Sequence, residues 1–340
     1  MKPVFYVIIP CYNVEKYLQK CADSLKAQTY QNYYAVMIDD GSSDHTLQLC
    51  QEIASENENF IVLRNEQNSG LEATRNKALD YIDTFREEKD IPAEDLWICF
   101  LDADDTFRKE AFEDIVKALE PSVDFVLTGL EFEYEDHSDF SRPGIPDGIH
   151  TAAEVASHVE REIPWECVSC IGTKFYRYSF LGPRNLRFDS YYRYNEDGAF
   201  ALQLFSAAKH ILVLNECEYR YLQREGSIMH SYRKDMYTTL NHVARLYESY
   251  YEKFGLDRTY LVHNNRMIIA WGSMIDELSA GREQFSLFFD RIVNDTEAKE
   301  SFRKVLKSKE ASRQERLLAY GLLHKWKHLI EFYIRARFLK

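Results

Sequence analysis

The sequence predicts an α/β fold with a mostly parallel sheet, and three observations carry that expectation. Short apolar runs alternate with segments of helical periodicity over the first 135 residues. Three of those runs end directly in polar clusters: CYN at 11–13, DDGSSD at 39–44 and DADD at 102–105. From about residue 234 the pattern becomes helical to the end, which predicts a C-terminal helical region beside the α/β part.

Taken in order, the strand runs are FYVIIP (5–10), YYAVMIDD (33–40), FIVLRN (60–65), LWICFLD (96–102) and VDFVLTGLEF (123–132). Each is rich in Val, Ile, Phe and Tyr without alternation, the pattern of strands covered on both faces. Leu18, Cys21, Ala22 and Leu25 repeat at helical spacing between the first two. A second helix is expected over about 44–56 with Asp44 as its N-cap, and a third over about 70–88. Such alternation implies parallel pairing by right-handed crossovers. In sheets of this kind ligands sit beyond the carboxyl ends of the strands, so the three polar clusters fall on one rim. Residues 136–150 hold two prolines and two glycines and read as a connector. A mixed region follows, with a last strand near 210–223. The resulting divisions are 1–135, 136–233 and 234–340.

Composition narrows the function. A net charge of −13 argues against a nucleic-acid binder. The charge is unevenly spread, because the last twenty residues carry +4 and the remainder −17. As a helix, that tail would set Leu322, Trp326, Leu329, Ile330 and Tyr333 on one apolar face, which suits either an anionic membrane surface or docking on its own domain. No run reaches the roughly 20 apolar residues of a membrane span, and no signal peptide is present. Seven cysteines without a secretory signal read as reduced thiols, so the expected location is cytoplasmic, with a possible peripheral contact on the inner membrane face. Cys167 and Cys170 form a single C-x-x-C, which lacks the second pair a zinc site needs.

Two clusters have the composition for chemistry. Asp102, Asp104 and Asp105 follow a strand, and three carboxylates so close repel one another unless a cation offsets them. A hard Mg²⁺ or Mn²⁺ ion takes one or two carboxylates and completes its shell with water and phosphate. An acidic helix N-cap would also explain these letters. DDGSSDHT offers acceptors and hydroxyls before a helix, with Gly41 allowing close approach of a ligand. It is not a P-loop, since G-x-x-x-x-G-K-[ST] is absent, and a turn with a helix cap would produce similar letters.

The ordered set VIIPCYNVEKYLQKCADSLKAQTYQNYYAVMIDDGSSDHT, NSGLEATRNKAL and FLDADD resembles family 2 glycosyltransferases, densely over residues 4–130 and more sparsely to about 230. The resemblance implies the GT-A fold, a Rossmann-like mixed sheet flanked by helices. It makes 1–135 the nucleotide-sugar half and 136–233 the acceptor half. In that family Tyr12, beside Pro10, would stack on the base of a UDP-sugar. Asp40 would read the uracil edge with Asp39 in support, and Gly70 and Arg75 would lie beside base and phosphates. Asp102 would approach the ribose, and Asp104 would ligate the metal with Asp105 as a substitute. YNEDGAF (194–200) matches the family's E-D element, making Asp197 the base and Glu196 its neighbour. Arg224 and Ser227 are the implied diphosphate contacts, and His230 would complete the metal shell. Ile171-Gly172-Thr173 departs from the family's Trp-Asn-Lys.

The implied reaction is an inverting, Mn²⁺- or Mg²⁺-dependent transfer from a UDP-sugar to a hydroxyl of a glycan or lipid-linked oligosaccharide, in capsule or exopolysaccharide synthesis. The alternative is a non-catalytic nucleotide-sugar-binding protein. A phosphorylation-receiver domain is excluded, because FIVLRN supplies no Asp and FVLTGLEF no Lys. A nucleotidyltransferase would need a basic, Gly-rich loop where PCYN stands.

Overall fold

The computed structural model describes residues 2–192, 195–223 and 236–339. Its described strands are β1 (Val4–Cys11), β2 (Tyr33–Asp40), β3 (Phe60–Asn65), β4 (Leu96–Phe100), β5 (Thr106–Phe107), β6 (Phe125–Glu133), β7 (Ser138–Ser141), β8 (Gly148–Thr151), β9 (Lys174–Arg177) and β10 (His210–Leu222). They form one sheet in the order β3-β2-β1-β4-β9-β6-β10-β5, with β7 added to β6 and β8 to β10. The first four are parallel, β9 runs antiparallel between β4 and β6, and β10 is parallel to β6. A mixed, mostly parallel sheet flanked by helices is what the sequence predicts.

The crossovers are α1 (Leu18–Lys26), α2 (Thr46–Glu56) and α3 (Leu71–Glu88). Helix α1 buries Leu18, Cys21, Ala22 and Leu25, the residues whose spacing defines it. Together with Phe5, Val7, Ile9, Met37, Trp97 and Phe112 they belong to the main apolar core under the sheet. Helix α2 starts at Thr46 rather than Asp44. The Asp44 carboxylate instead accepts from the N–H groups of Thr46 (3.0 Å) and Glu15 (3.3 Å), tying the loop after β1 to the start of α2. Four more helices complete this unit: α4 (Ala111–Ala118), α5 (Ala152–His158), α6 (Trp165–Ser169) and α7 (Tyr178–Leu181); α8 (Glu196–Ala207) then precedes β10.

Two expectations are corrected here. Residues 136–150 are not only a connector, because β7 and β8 lie within or across that stretch. Their polar residues and flanking prolines hid them, as is common for short peripheral strands. The DADD cluster follows a strand as expected, but it is not the helix cap that its letters also allowed. Strand β4 ends at Phe100, the N–H of Asp105 donates to the carbonyl of Asp102 (2.9 Å) to close a turn, and β5 intervenes before α4.

The chain divides into two compact units. One contains the sheet, so the 1–135 and 136–233 halves share a single body up to the last described residue of β10. The other is helical, formed by α9 (Met236–Lys253), α10 (Thr259–Ala280), α11 (Arg282–Ile292), α12 (Thr296–Lys307), α13 (Arg313–Leu323) and α14 (Lys327–Phe338). It has its own core, including Met274, Phe285, Phe289, Phe302, Leu322 and Ile334. Asp295 caps α12, and Ser312 with Glu315 forms a reciprocal capping box on α13. The expected continuous terminal helix is instead two, since Lys325 takes a left-handed φ of 57° between α13 and α14. Leu322 and Ile330 are therefore core, whereas Leu329 and Tyr333 face outward. Among the described residues no helix is long and apolar enough to cross a membrane.

Candidate active site

Parallel strands β2, β1 and β4 are neighbours, so their carboxyl ends share one edge. Cys11 pairs with Asp39 across β1 and β2, and Ile8 with Phe100 across β1 and β4. The three polar clusters consequently emerge together. Hydrogen bonds stitch the first two: Asn13 N–H donates to Ser42 Oγ (3.1 Å), Ser43 N–H to Asn13 Oδ1 (2.9 Å), and Val14 N–H to Thr46 Oγ1 (2.8 Å). Tyr12 stands beside this stitched loop with 47 % of its surface exposed, next to Pro10 at the end of β1. An open aromatic face on the rim is suited to stacking on a base.

Asp39 and Asp40 have opposite fates. Asp40 is buried and its carboxylate is fully engaged. Oδ1 accepts from Asn65 Nδ2 (2.7 Å), Ser69 N–H (2.9 Å) and Ser69 Oγ (2.6 Å), and Oδ2 accepts from Gly70 N–H (3.0 Å). Burial raises its pKa, but these hydrogen bonds together outweigh burial and hold it below the ordinary value. Asp40 thus anchors the 65–70 loop. Asp39 is equally buried, and its Oδ1 accepts weakly from Ser42 N–H (3.3 Å). Its Oδ2 has no hydrogen-bond partner among the described residues, with Arg64 Nε 3.8 Å away. A buried carboxylate oxygen without a donor is costly unless a ligand supplies one. Gly41 is also reinterpreted. Its φ is 69° and an added Cβ would lie 2.7 Å from Asn68 N, so protein backbone, not ligand, requires glycine there.

The second cluster divides in the same way. Asp105 is buried beneath the turn, accepting from Tyr219 Oη (2.5 Å) and Leu222 N–H (2.9 Å). Burial, then the Asp102 and Asp104 charges, push its pKa well up. It pins the turn to β10 and is not placed as a spare metal ligand. Tyr219 in turn packs where Gly172 leaves room, since a Cβ at Gly172 would come 2.0 Å from its ring. That contact requires glycine at position 172 in this chain. Asp104 is half-buried on the turn, and Asp102 is partly exposed beside it.

Arg75 joins this turn to the start of α8. Its side chain is fully buried, yet Nη2 reaches Asp102 Oδ1 (2.9 Å) and Nη1 reaches Asp197 Oδ1 and, at 3.8 Å, Glu196 Oε1. The guanidinium also lies over Phe188, 5.2 Å from the ring centre. Arg75 is therefore a clamp between carboxylates, not a residue lying open beside a base. Asn76, which the sequence reading passed over, fixes Phe188 by exchanging hydrogen bonds with its N–H and carbonyl, 2.8 Å each. Burial pushes the pKa of Asp197 up to about 7, Arg75 opposes the rise, and the Glu196 and Asp102 charges add to it. Its side chain still keeps 28 % exposure, so a ligand has access.

Lys174 was also missed. It is buried, donating to the carbonyls of Cys167 (2.7 Å) and Cys170 (2.5 Å) and to Thr173 Oγ1 (2.9 Å), and burial pushes its pKa down to about 8. The C-x-x-C pair thus serves through its backbone, with both thiols free. Gly70, with φ 92°, starts α3 and binds Asp40 rather than pointing at the rim. Arg224, Ser227 and His230 lie outside the described residues.

Among the described residues no three His, Cys, Asp or Glu side chains converge on a metal-sized site. The donors on the turn nevertheless fit a hard divalent ion. They are carboxylate oxygens only, and Mg²⁺ or Mn²⁺ is held by one or two of these with substrate phosphates supplying the rest.

This fold, with a carboxylate turn after β4 clamped to an acidic helix start, defines a glycosyltransferase of the GT-A architecture. Residues 6–211 match the pattern described as glycosyl transferase family 2, and the chain belongs to that family. Among relatives, it is 24 % identical over 259 residues to the uncharacterized glycosyltransferase EpsJ of Bacillus subtilis, covering 75 % of this chain and 72 % of that one. It is 30 % identical over 241 residues to the poly(ribitol-phosphate) beta-N-acetylglucosaminyltransferase TarS of Staphylococcus aureus, covering 67 % of this chain but only 37 % of TarS. Similarly, it spans only 30 % of the minor teichoic acid biosynthesis protein GgaB of B. subtilis, at 26 % identity over 81 % of this chain. The crystal structure of TarS residues 1–349 in complex with UDP-GlcNAc superposes with a TM-score of 0.65 at 21 % identity, over 99 % of this chain and 93 % of that one.

Proposed function

We propose that the protein catalyses inverting transfer of a sugar from a UDP-sugar to a hydroxyl of a glycan or lipid-linked oligosaccharide, in synthesis of a bacterial surface polysaccharide on the cytoplasmic side of the membrane. The observation that carries this reading is Arg75, which brings Asp197 to the D-x-D turn although the two are distant in sequence. The TarS structure with UDP-GlcNAc supports the donor class.

In this reading Tyr12 stacks on the uracil and the unpartnered Oδ2 of Asp39 accepts its N–H, the role first expected of Asp40. Asp102 takes a ribose hydroxyl while Arg75 fixes its other face. Asp104 would hold a divalent ion, which when bound supplies positive charge to the diphosphate leaving group. Asp197 takes the proton from the acceptor hydroxyl as that oxygen attacks the sugar C1 and the bond to UDP breaks on the opposite side. Arg75 orients Asp197, and burial makes it basic enough to act near neutral pH. Glu196 shares the clamp and adds negative charge to the pair.

Asp197→Asn tests the assignment. Turnover should fall by about 10²–10⁴-fold, the usual contribution of a general base, while UDP affinity by calorimetry stays within about twofold. Equal loss of affinity and turnover would place Asp197 in donor binding. Retained turnover would assign proton abstraction to another group, and UDP binding without turnover in the native chain would favour a protein that only binds nucleotide-sugars.

A further inference from the structure

We propose that the outward face of α14 is a docking surface for an anionic lipid membrane. The face is apolar where a water-facing helix should be polar. Phe332 is 70 %, Leu329 58 % and Tyr333 49 % exposed, while Ile330 and Ile334 on the other side are core. At 100° per residue these three form one stripe, with Ala336 continuing it for another turn. Arginines border the stripe on both sides, Arg337 on one and Arg335 on the other. At the end of the stripe Tyr333, Phe338 and Trp271 of α10 form an aromatic group with ring centres 5.9–6.4 Å apart.

Charge selects the occupant. Residues 236–340 carry 18 Lys and Arg against 13 Asp and Glu, a net +5, while the rest of the chain carries −18. Part of this charge is committed internally: Lys327 pairs with Asp290 (2.8 Å), Arg335 shares Glu331 with Arg282 (3.1 and 2.9 Å), and Arg245 and Arg266 pair with Glu297 and Glu248. A helix with an apolar stripe between long cations buries the stripe at the headgroup boundary and leaves the cations at phosphate level. Aromatic rings with a polar edge prefer that same depth. A second copy of the chain would bring one positive helical unit against another, which the charge disfavours. The surface deepens the reading of a lipid-linked acceptor, but its readout is vesicle binding rather than sugar transfer to a lipid, so the two can fail separately.

The experiment is co-sedimentation of the full chain with phosphatidylglycerol-rich vesicles and, in parallel, with phosphatidylcholine vesicles. Binding is expected to the anionic vesicles, weakening as salt is raised. Leu329→Glu with Phe332→Glu should lower the partition coefficient at least tenfold, and Arg337→Gln about fivefold. These side chains are exposed, and an unchanged melting temperature and turnover on a soluble acceptor check that the variants are folded. Absence of binding to anionic vesicles, or binding indifferent to both substitutions, would overturn the proposal. So would light scattering that shows a dimer abolished by Phe332→Glu, which would assign the face to a second copy.

Discussion

The carboxyl ends of β2 and β4 divide their acids alike. At the first, where β2 runs into its loop, Asp40 is spent on four hydrogen bonds to residues 65–70, and its neighbour Asp39 keeps an oxygen without a donor. After β4, Asp105 is spent on Tyr219 and Leu222 of β10, and Asp102 remains partly exposed on the turn with Asp104. They differ in what holds the working acid. Asp39 is left to a ligand, whereas Asp102 is already held by Arg75, which ties it to Asp197. In the proposed reading a donor would meet the first site without disturbing the second, while the second would link the donor to the proposed base.

The largest effect should come from exchanging the two acids of the first loop. Asp40→Ala removes the shared acceptor of four hydrogen bonds, two of them from Ser69, and should cost about 3 kcal/mol, read as a lower denaturation midpoint. Asp39→Asn removes no strong protein contact, so its midpoint should hold while UDP affinity falls about tenfold or more, because an amide NH₂ there opposes a base N–H. If Asp40→Ala melted normally and lost only UDP binding, the division of labour would be reversed. Behind the second loop, just before β9, Gly172→Ala drives a methyl into the Tyr219 ring and should cost about 1–3 kcal/mol. The strain passes through Tyr219 to Asp105, so turnover should drop more than UDP affinity. Tyr219→Phe in the same chain tests this route, since it removes the hydroxyl that reaches Asp105.

How much of this the sequence disclosed follows from what each element packs against. Strands β1 to β4 and helix α3 fall within a residue or two of the apolar runs, because a strand covered on both faces must be apolar throughout. Strands β5, β7 and β8 were not legible. Thr106–Phe107 is too short to show a pattern, and Ser138–Ser141 gains its place from pairing with Glu131 and Phe132 rather than from its own residues. The resemblance put Asp40 with Asp39, Asp102 and Asp197 in one expected site, and Arg75 does join Asp102 to Asp197. Which acid of each pair would be consumed was not readable, since it depends on where Ser69, Gly70 and Tyr219 arrive from elsewhere in the chain. The same holds for Arg75, whose sequence neighbours give no hint of two partners as distant as Asp102 and Asp197.

The smallest effect sharpens the comparison through pH, because Asp40 and Asp197, the acid that Arg75 ties to the second loop, lie on opposite sides of the ordinary value. Asp40 lies below it and stays ionised across the working range, whereas Asp197 is raised from 3.8 to about 7. As a base Asp197 acts only when ionised, so turnover should decline about tenfold per pH unit below 7 and level off above it. Stability runs the other way. A carboxyl with a raised folded pKa binds its proton more tightly in the native state, so its contribution is full below 3.8 and is lost as pH rises through about 7. Activity should therefore appear over the same interval in which this stabilisation disappears. Asp197→Asn should remove both dependences, leaving the melting temperature flatter between pH 4 and 7 than in the native sequence. A turnover limb near pH 7 that survives Asp197→Asn in the residual activity would belong to another group, and the assignment of Asp197 as base would fall with it.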